Sequence, residues 1–202
     1  MSSEVTEYQH TIKDSMNRFF GEQIPVETEW QTITDIGGLY SPRIDIAVGP
    51  FSVIRDVNKI VEYNQLMDTH EAFISKLIEY NNTNIRTYRD PDERIDLYHI
   101  EPTIDSLKHV NRNGRCWLAI EIENKVSRKH LLGGVVNACA LGRIGICIGW
   151  TEDKVKAFVK LQMYWEYLNS VGKNTFGTKN LIILNKNQLI QAIITENSLD
   201  LI

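Results

Sequence analysis

The chain has 202 residues, 43% of them hydrophobic and 24% charged, with a formal net charge of −4. That length suits one domain with a sizeable core, and the composition excludes a disordered or fibrous protein. The acidic balance excludes a uniformly basic nucleic-acid-coating surface, leaving local patches for such a role; three scattered cysteines (Cys116, Cys139 and Cys147) form neither a disulfide framework nor a zinc motif and point to a reduced, cytoplasmic setting.

The opening residues MSSEVTEYQH have no basic or apolar segment of the secretory kind. Val5, Tyr8, Ile12, Met16, Phe19 and Phe20 recur at helical spacing, and Gly21 is a natural stop. VETEWQTITDI reads as a strand in which Val26, Thr28, Trp30 and Thr32 alternate with Glu27, Glu29, Gln31 and Ile33, and Gly37–Gly38 turns the chain. RIDIAVGPF is a second strand. Ile44, Ile46 and Val48 share one face, Arg43, Asp45 and Ala47 the other, and Gly49–Pro50 ends it.

Residues 51–113 differ in character. DVNKIVEYNQLMDTHEAFISKLIEY has the pattern of one long amphipathic helix, with Ile60, Tyr63, Met67, His70, Ile74 and Leu77 on a single stripe. A polar stretch broken by Pro91 and Pro102 follows. The segment reads as a helical insertion within a single domain spanning residues 1–202. It is the expected place for a homodimer contact, or for recognition through Arg86, Tyr88, Arg89 and Arg94.

CWLAIEIENK is the third strand. Leu118, Ile120 and Ile122 face one way, Glu121, Glu123 and Lys125 the other. Three charges on one face of a central strand call for partners or a metal. Ser127 can cap the next helix, which runs to about Leu141 and carries small residues (Gly133, Gly134, Ala138, Ala140) suited to close packing. Arg128, Lys129 and His130 at its start are candidates for DNA phosphate contact. The apolar run 131–150 is interrupted by Asn137, Gly142 and Arg143, so it is a helix end and a buried strand, Ile144–Trp150, rather than a membrane span. TEDKVKAFVKLQMYWEYLNS is a helix with Val155, Phe158, Val159, Met163 and Tyr167 inward. A turn at Gly172–Thr175, the strand LIILN and the helix NQLIQAII complete the chain. The order of elements predicts an α/β fold of the α+β kind, a mixed sheet flanked by helices.

If the second and third strands pair, Asp45 comes beside Glu123. Adjacent carboxylates repel, and a divalent cation relieves the repulsion. Magnesium suits such a site, because it takes one or two carboxylates and keeps several waters. A strand acid followed by a second strand bearing Glu-x-Lys resembles the PD-(D/E)XK nuclease superfamily, the restriction-endonuclease-like fold, here through Asp45 and Glu123-Asn124-Lys125. The resemblance covers residues 4–150 apart from the insertion, and Ile44 stands where the family name has proline.

The resemblance implies a helix-strand-strand-strand-helix-strand core. It implies Mg2+, with Mn2+ as a substitute, held by Asp45, Glu123 and the Asn124 backbone carbonyl, with Lys125 positioning or deprotonating the attacking water. A first-helix acid (Glu4, Glu7 or Glu22) is expected to join. Glu121 shares the face and is either a further ligand or a partner for Arg43. The implied activity is hydrolysis of DNA phosphodiesters in restriction or defence; a homodimer is the expected assembly, and a cognate methyltransferase or another defence component the expected companion. A second expectation on the same fold is a non-catalytic nucleic-acid-binding or assembly protein.

Overall fold

The computed structural model describes residues 3–33, 41–52, 54, 56–89, 101–124, 128–174 and 176–197, and for Ser3, Arg128, Glu196 and Asn197 the backbone alone. Among the described residues seven helices flank a five-stranded mixed sheet. In chain order these are α1 (Ser3–Phe20), β1 (Val26–Gln31), β2 (Arg43–Val48), α2 (Val57–Thr69), α3 (Glu71–Tyr88) and α4 (Ile104–Leu107). Then come β3 (Cys116–Glu123), α5 (Arg128–Leu141), β4 (Gly142–Gly149), α6 (Glu152–Ser170), β5 (Leu181–Asn185) and α7 (Lys186–Asn197). The strands stand in sequence order, β1 and β2 antiparallel, β2 and β3 antiparallel, then β3, β4 and β5 parallel. No described helix is long and apolar enough to cross a membrane.

Strand alternation divides the core in two. Ile46, Ile120, Ile122, Ile146, Ile148, Ile182 and Leu184 point to the face covered by the apolar stripe of α1 and by α2, α3 and α7. Cys147, Leu181 and Ile183 point to the other face, beneath Leu131, Val135 and Ala138 of α5 and Phe158, Val159 and Met163 of α6. β4 is buried along its whole length, as its unbroken apolar run requires. A Cβ on Gly145 would lie 2.7 Å from the Ala138 carbonyl carbon, so glycine there lets α5 settle directly on β4.

α5 passes into β4 without a connecting loop, Leu141 being followed by Gly142. The last carbonyls of a helix need donors. Here the side-chain amides of Asn111 and Asn180 supply them, donating to the Cys139 carbonyl at 2.9 and 3.0 Å, and both also donate to the Gly142 carbonyl.

The stretch read as one long helix is two. α2 ends at Thr69, and His70, with φ −111° and ψ 37°, separates it from α3. The imidazole ring sits among Phe19, Phe20 and Trp117, with centroid distances of 5.0–5.7 Å, so at the break the half-buried His70 packs against core aromatics. α3 then continues to Tyr88 through the polar NNTNIRTY. Its asparagines face inward because the outer edge of β5 needs partners. Asn81 Oδ1 accepts from the Ile183 N–H at 2.8 Å, and Asn84 Nδ2 donates to the Ile183 carbonyl at 2.9 Å.

Residues 57–88 pack into the core through α2 and α3. Tyr63, Met67, Ile74 and Leu77 of the expected dimer stripe are buried within this chain. Arg86 is engaged by Glu101 through two hydrogen bonds of 2.7 and 2.6 Å. Pro91 and Arg94 lie outside the described residues, as do Gly37, Gly38 and Thr175. On α6 the buried row is Val155, Phe158, Val159, Gln162, Met163 and Trp165. Tyr167 is exposed, contrary to expectation, because repeated steps of four drift round the helix and leave it roughly 120° from Val155, outside the buried row.

Candidate functional site

A cleft of about 350 Å3 opens at the carboxyl end of β3. Asp45 of β2, Glu121, Ile122, Glu123 and Asn124 line one side, and Lys129, His130, Gly133, Gly134 and Asn137 of α5 the other, with Phe158 of α6 behind. Of the residues singled out in sequence, Asp45, Glu121, Glu123, Asn124, Lys129 and His130 come together here. Lys125 and Ser127 lie outside the described residues, and for Arg128 the backbone alone is described.

Register decides which acids meet. Ile46 pairs with Ile120 and Ala47 with Ala119. Continued by one residue, this pairing sets Asp45 opposite Glu121 rather than Glu123. The strands open there, and Asp45 Oδ2 accepts from the Ile122 N–H at 2.7 Å. Glu121 Oε1 accepts from Asn137 Nδ2 at 3.2 Å. Burial raises the Glu121 carboxyl well above the usual carboxylate range. The Asp45 charge adds to this, the Asn137 hydrogen bond opposes it, and Glu29 and Glu123 push further upward.

Glu29 is the acid that strand alternation did not single out. Its neighbours Thr28 and Trp30 pair with Ile46 and Ile44, which sets Glu29 across from Asp45. Its φ of 53° is left-handed, a strain of about 1 kcal/mol for a residue with a side chain. Glu29 Oε2 is 3.2 Å from Arg43 Nη1, while its Oε1 is buried and finds no hydrogen-bond partner. Arg43 therefore pairs with Glu29, not with Glu121 as one expectation had it. The first-helix acids do not join. Glu4, Glu7 and Glu22 are exposed, and none lines the cleft. The physical reason is the parity of the sheet: α1 covers the face carrying Ile46 and Ile120, while Asp45 and Glu121 point to the opposite one.

In sequence Asn137 stands out only as a break in an apolar run, yet its spacing carries a signal for the site. His130, Gly133, Gly134 and Asn137 are spaced by three, one and three residues, which is one face of a helix. The glycines leave that face open. A Cβ on Gly134 would touch Glu121 Cβ at 3.6 Å, and around a Cβ on Gly133 nothing lies within 4 Å.

The donors of the cleft are carboxylates and amide oxygens, the set a hard divalent cation takes. Glu121, held above its ordinary range by burial first and by its acidic neighbours second, fits a site that a cation would complete, while the Glu29 oxygen without a partner lies outside the residues that line the cleft. As they stand, no three His, Cys, Asp or Glu side chains among the described residues are grouped so as to hold a metal ion. Asp45 is drawn to the Ile122 amide and Glu121 to Asn137, and carboxylates that repel one another stay apart.

No family model, curated protein or solved structure matches this chain.

Proposed function

We propose that the protein is a magnesium-dependent DNA endonuclease built on a restriction-endonuclease-like core, with Asp45, Glu123 and the Asn124 carbonyl as the residues that would hold the metal. The observation that carries this is the shared cleft: acids from two strands remote in sequence face Lys129 and His130 at the start of a helix. Basic side chains and free amide N–H groups at a helix start suit a phosphate, and the acids opposite suit the cation that must accompany it. When bound, magnesium supplies Lewis-acid stabilisation of the charge that develops on the phosphate. Asn137 orients the Glu121 carboxyl through its hydrogen bond. Lys129 and His130 attract and seat the DNA backbone, and Lys125 positions the attacking water. Restriction or defence is the role that fits such a cutter, with a homodimer as its assembly and a methyltransferase as companion.

The test is nicking of plasmid DNA by the full chain with magnesium or manganese, beside Glu123→Ala and Lys125→Ala. Wild type is expected to nick, and both variants to fall to background. Equal nicking by all three preparations would sink the proposal. One observation favours a second function, a nucleic-acid-binding protein without cleavage: among the described residues the acids are not grouped as a ready metal site. That function predicts DNA binding that is indifferent to magnesium and no nicking by wild type.

A further inference from the structure

The outward side of α6 carries a row that the cleft does not use. Lys156, Lys160, Tyr164 and Tyr167 are all exposed and follow one another at intervals of four, four and three residues. That spacing puts them on one side of the helix, with steps of about 6 Å between residues four apart. Among the described residues, Tyr164 at 55% and Tyr167 at 42% are the two exposed aromatic side chains. Beside the row lies a groove of about 340 Å3 lined by Leu131, Ala157, Lys160, Leu161 and Tyr164. It adjoins the carboxylate cleft. Leu131 follows His130, and Ala157 precedes Phe158, and both His130 and Phe158 line the cleft.

We propose that this side of α6 binds an unpaired DNA strand leading out of the cleft, its phosphates on Lys156 and Lys160 and its bases stacked on Tyr164 and Tyr167. The inference rests on the nuclease function above and names the form of substrate it acts on: DNA with a single-stranded segment beside the cut. Lysines a helical turn apart supply charge complementary to a backbone that passes along the helix. Tyrosine rings offer a flat apolar face, which an unpaired base can cover. Bases inside a duplex already cover one another and have no face to give, so the tyrosines separate the two forms of DNA. The apolar groove between α5 and α6 lets a stacked base be shielded on one flank. Of the acids of this helix, Glu152 and Asp153 occupy the first turn, where they complement the helix dipole; they are exposed and stand four and three residues before Lys156, so the strand meets the row beyond them, from Lys156 onward, and Glu166 lies off the row and is only half-exposed.

The experiment uses the full chain in EDTA, so that binding is read without cutting, and fluorescein-labelled single-stranded and duplex DNA of one sequence. Circular dichroism checks that each variant is folded. Tyr164→Ala with Tyr167→Ala is expected to weaken single-strand binding about tenfold or more while duplex binding changes by less than about twofold. Lys156→Ala with Lys160→Ala is expected to make the slope of log affinity against log salt shallower by about 1.4, the value for two phosphates on a single strand. Unchanged single-strand affinity in the tyrosine pair, or an equal loss on duplex, overturns the proposal. A change in sedimentation with unchanged DNA affinity also overturns it, and makes this face a protein interface. The two levels separate cleanly. A wild type that cuts DNA but is indifferent to the α6 variants overturns this surface alone. A wild type that neither binds nor cuts DNA overturns both.

Discussion

Arg143, near the start of β4, and Glu121, near the end of β3, are both ionisable side chains taken inside one sheet, at opposite ends of neighbouring strands. Arg143 is fully buried, and its guanidinium is met by what it needs. Nη1 donates to the Val110 carbonyl at 2.7 Å, and Nη2 donates to Asn64 Oδ1 at 2.9 Å and to the Lys108 carbonyl. Nε alone finds no acceptor. Burial, with Arg112 adding to it and Tyr63 opposing, lowers the guanidinium to about 10, so it stays charged at neutral pH. Glu121 is met instead by Asp45, Glu29 and Glu123, charges of its own sign, with Asn137 as its hydrogen-bond donor. A buried charge satisfied by its own chain holds the fold together. A half-buried carboxyl among charges of its own sign, with the Asn137 amide beside it, is further relieved by a proton or by a cation from outside, and the proposed function draws on that contrast at the second end of the sheet.

The contrast can be broken most forcefully at Arg143. Arg143→Ala removes donors from the Val110 and Lys108 carbonyls, loosens α2 through Asn64, and is expected to cost about 4 kcal/mol of stability in urea unfolding. A loss below about 1 kcal/mol would mean that the buried guanidinium is not a structural tie. Asp45→Asn is expected to do the reverse. Magnesium-dependent nicking falls by about a hundredfold or more, while the melting temperature does not drop, because the Ile122 N–H keeps a side-chain acceptor and a repelling charge has left the cleft. A variant that unfolds but still cuts would erase the distinction.

Glu121→Gln sharpens the comparison through pH. The folded Glu121 carboxyl holds its proton to higher pH than the unfolded one. Its contribution is therefore fully favourable below the unfolded value and is lost as pH rises through the folded value. Glutamine cannot ionise, so the variant should gain on wild type in melting temperature between about pH 4 and pH 8. A gap that is constant across that range would show that Glu121 is not held above its ordinary value. The smallest effect is expected at Gly134. Its Cβ would meet Glu121 at ordinary contact distance, so Gly134→Ala should stabilise α5 by about 1 kcal/mol or less, read by thermal unfolding.

Alternation and spacing made much of this legible in the sequence. Ile120 and Ile122 go to one core and Glu121 and Glu123 to the opposite face because a strand can do nothing else. α1, β4 and the helix-to-strand change at Gly142 follow from residue pattern in the same way. What escaped depends on contacts distant in the chain. Asn81 and Asn84 look like surface residues until β5 is placed beside them with its edge exposed. Glu29 looks like an outward strand residue until the pairing of β1 with β2 sets it across from Asp45. The choice of Glu121 over Glu123 as the acid nearest Asp45 rests on register, which a single strand does not carry.

The loopless passage from α5 into β4 makes that helix a stiff lever about 21 Å long, fixed at its far tip by Asn111 and Asn180. Lys129 and His130 ride on the other tip. Their aim is therefore set from the opposite end of the helix, and a tilt of the anchor of only a few degrees would be delivered, enlarged by that length, at the mouth of the carboxylate cleft.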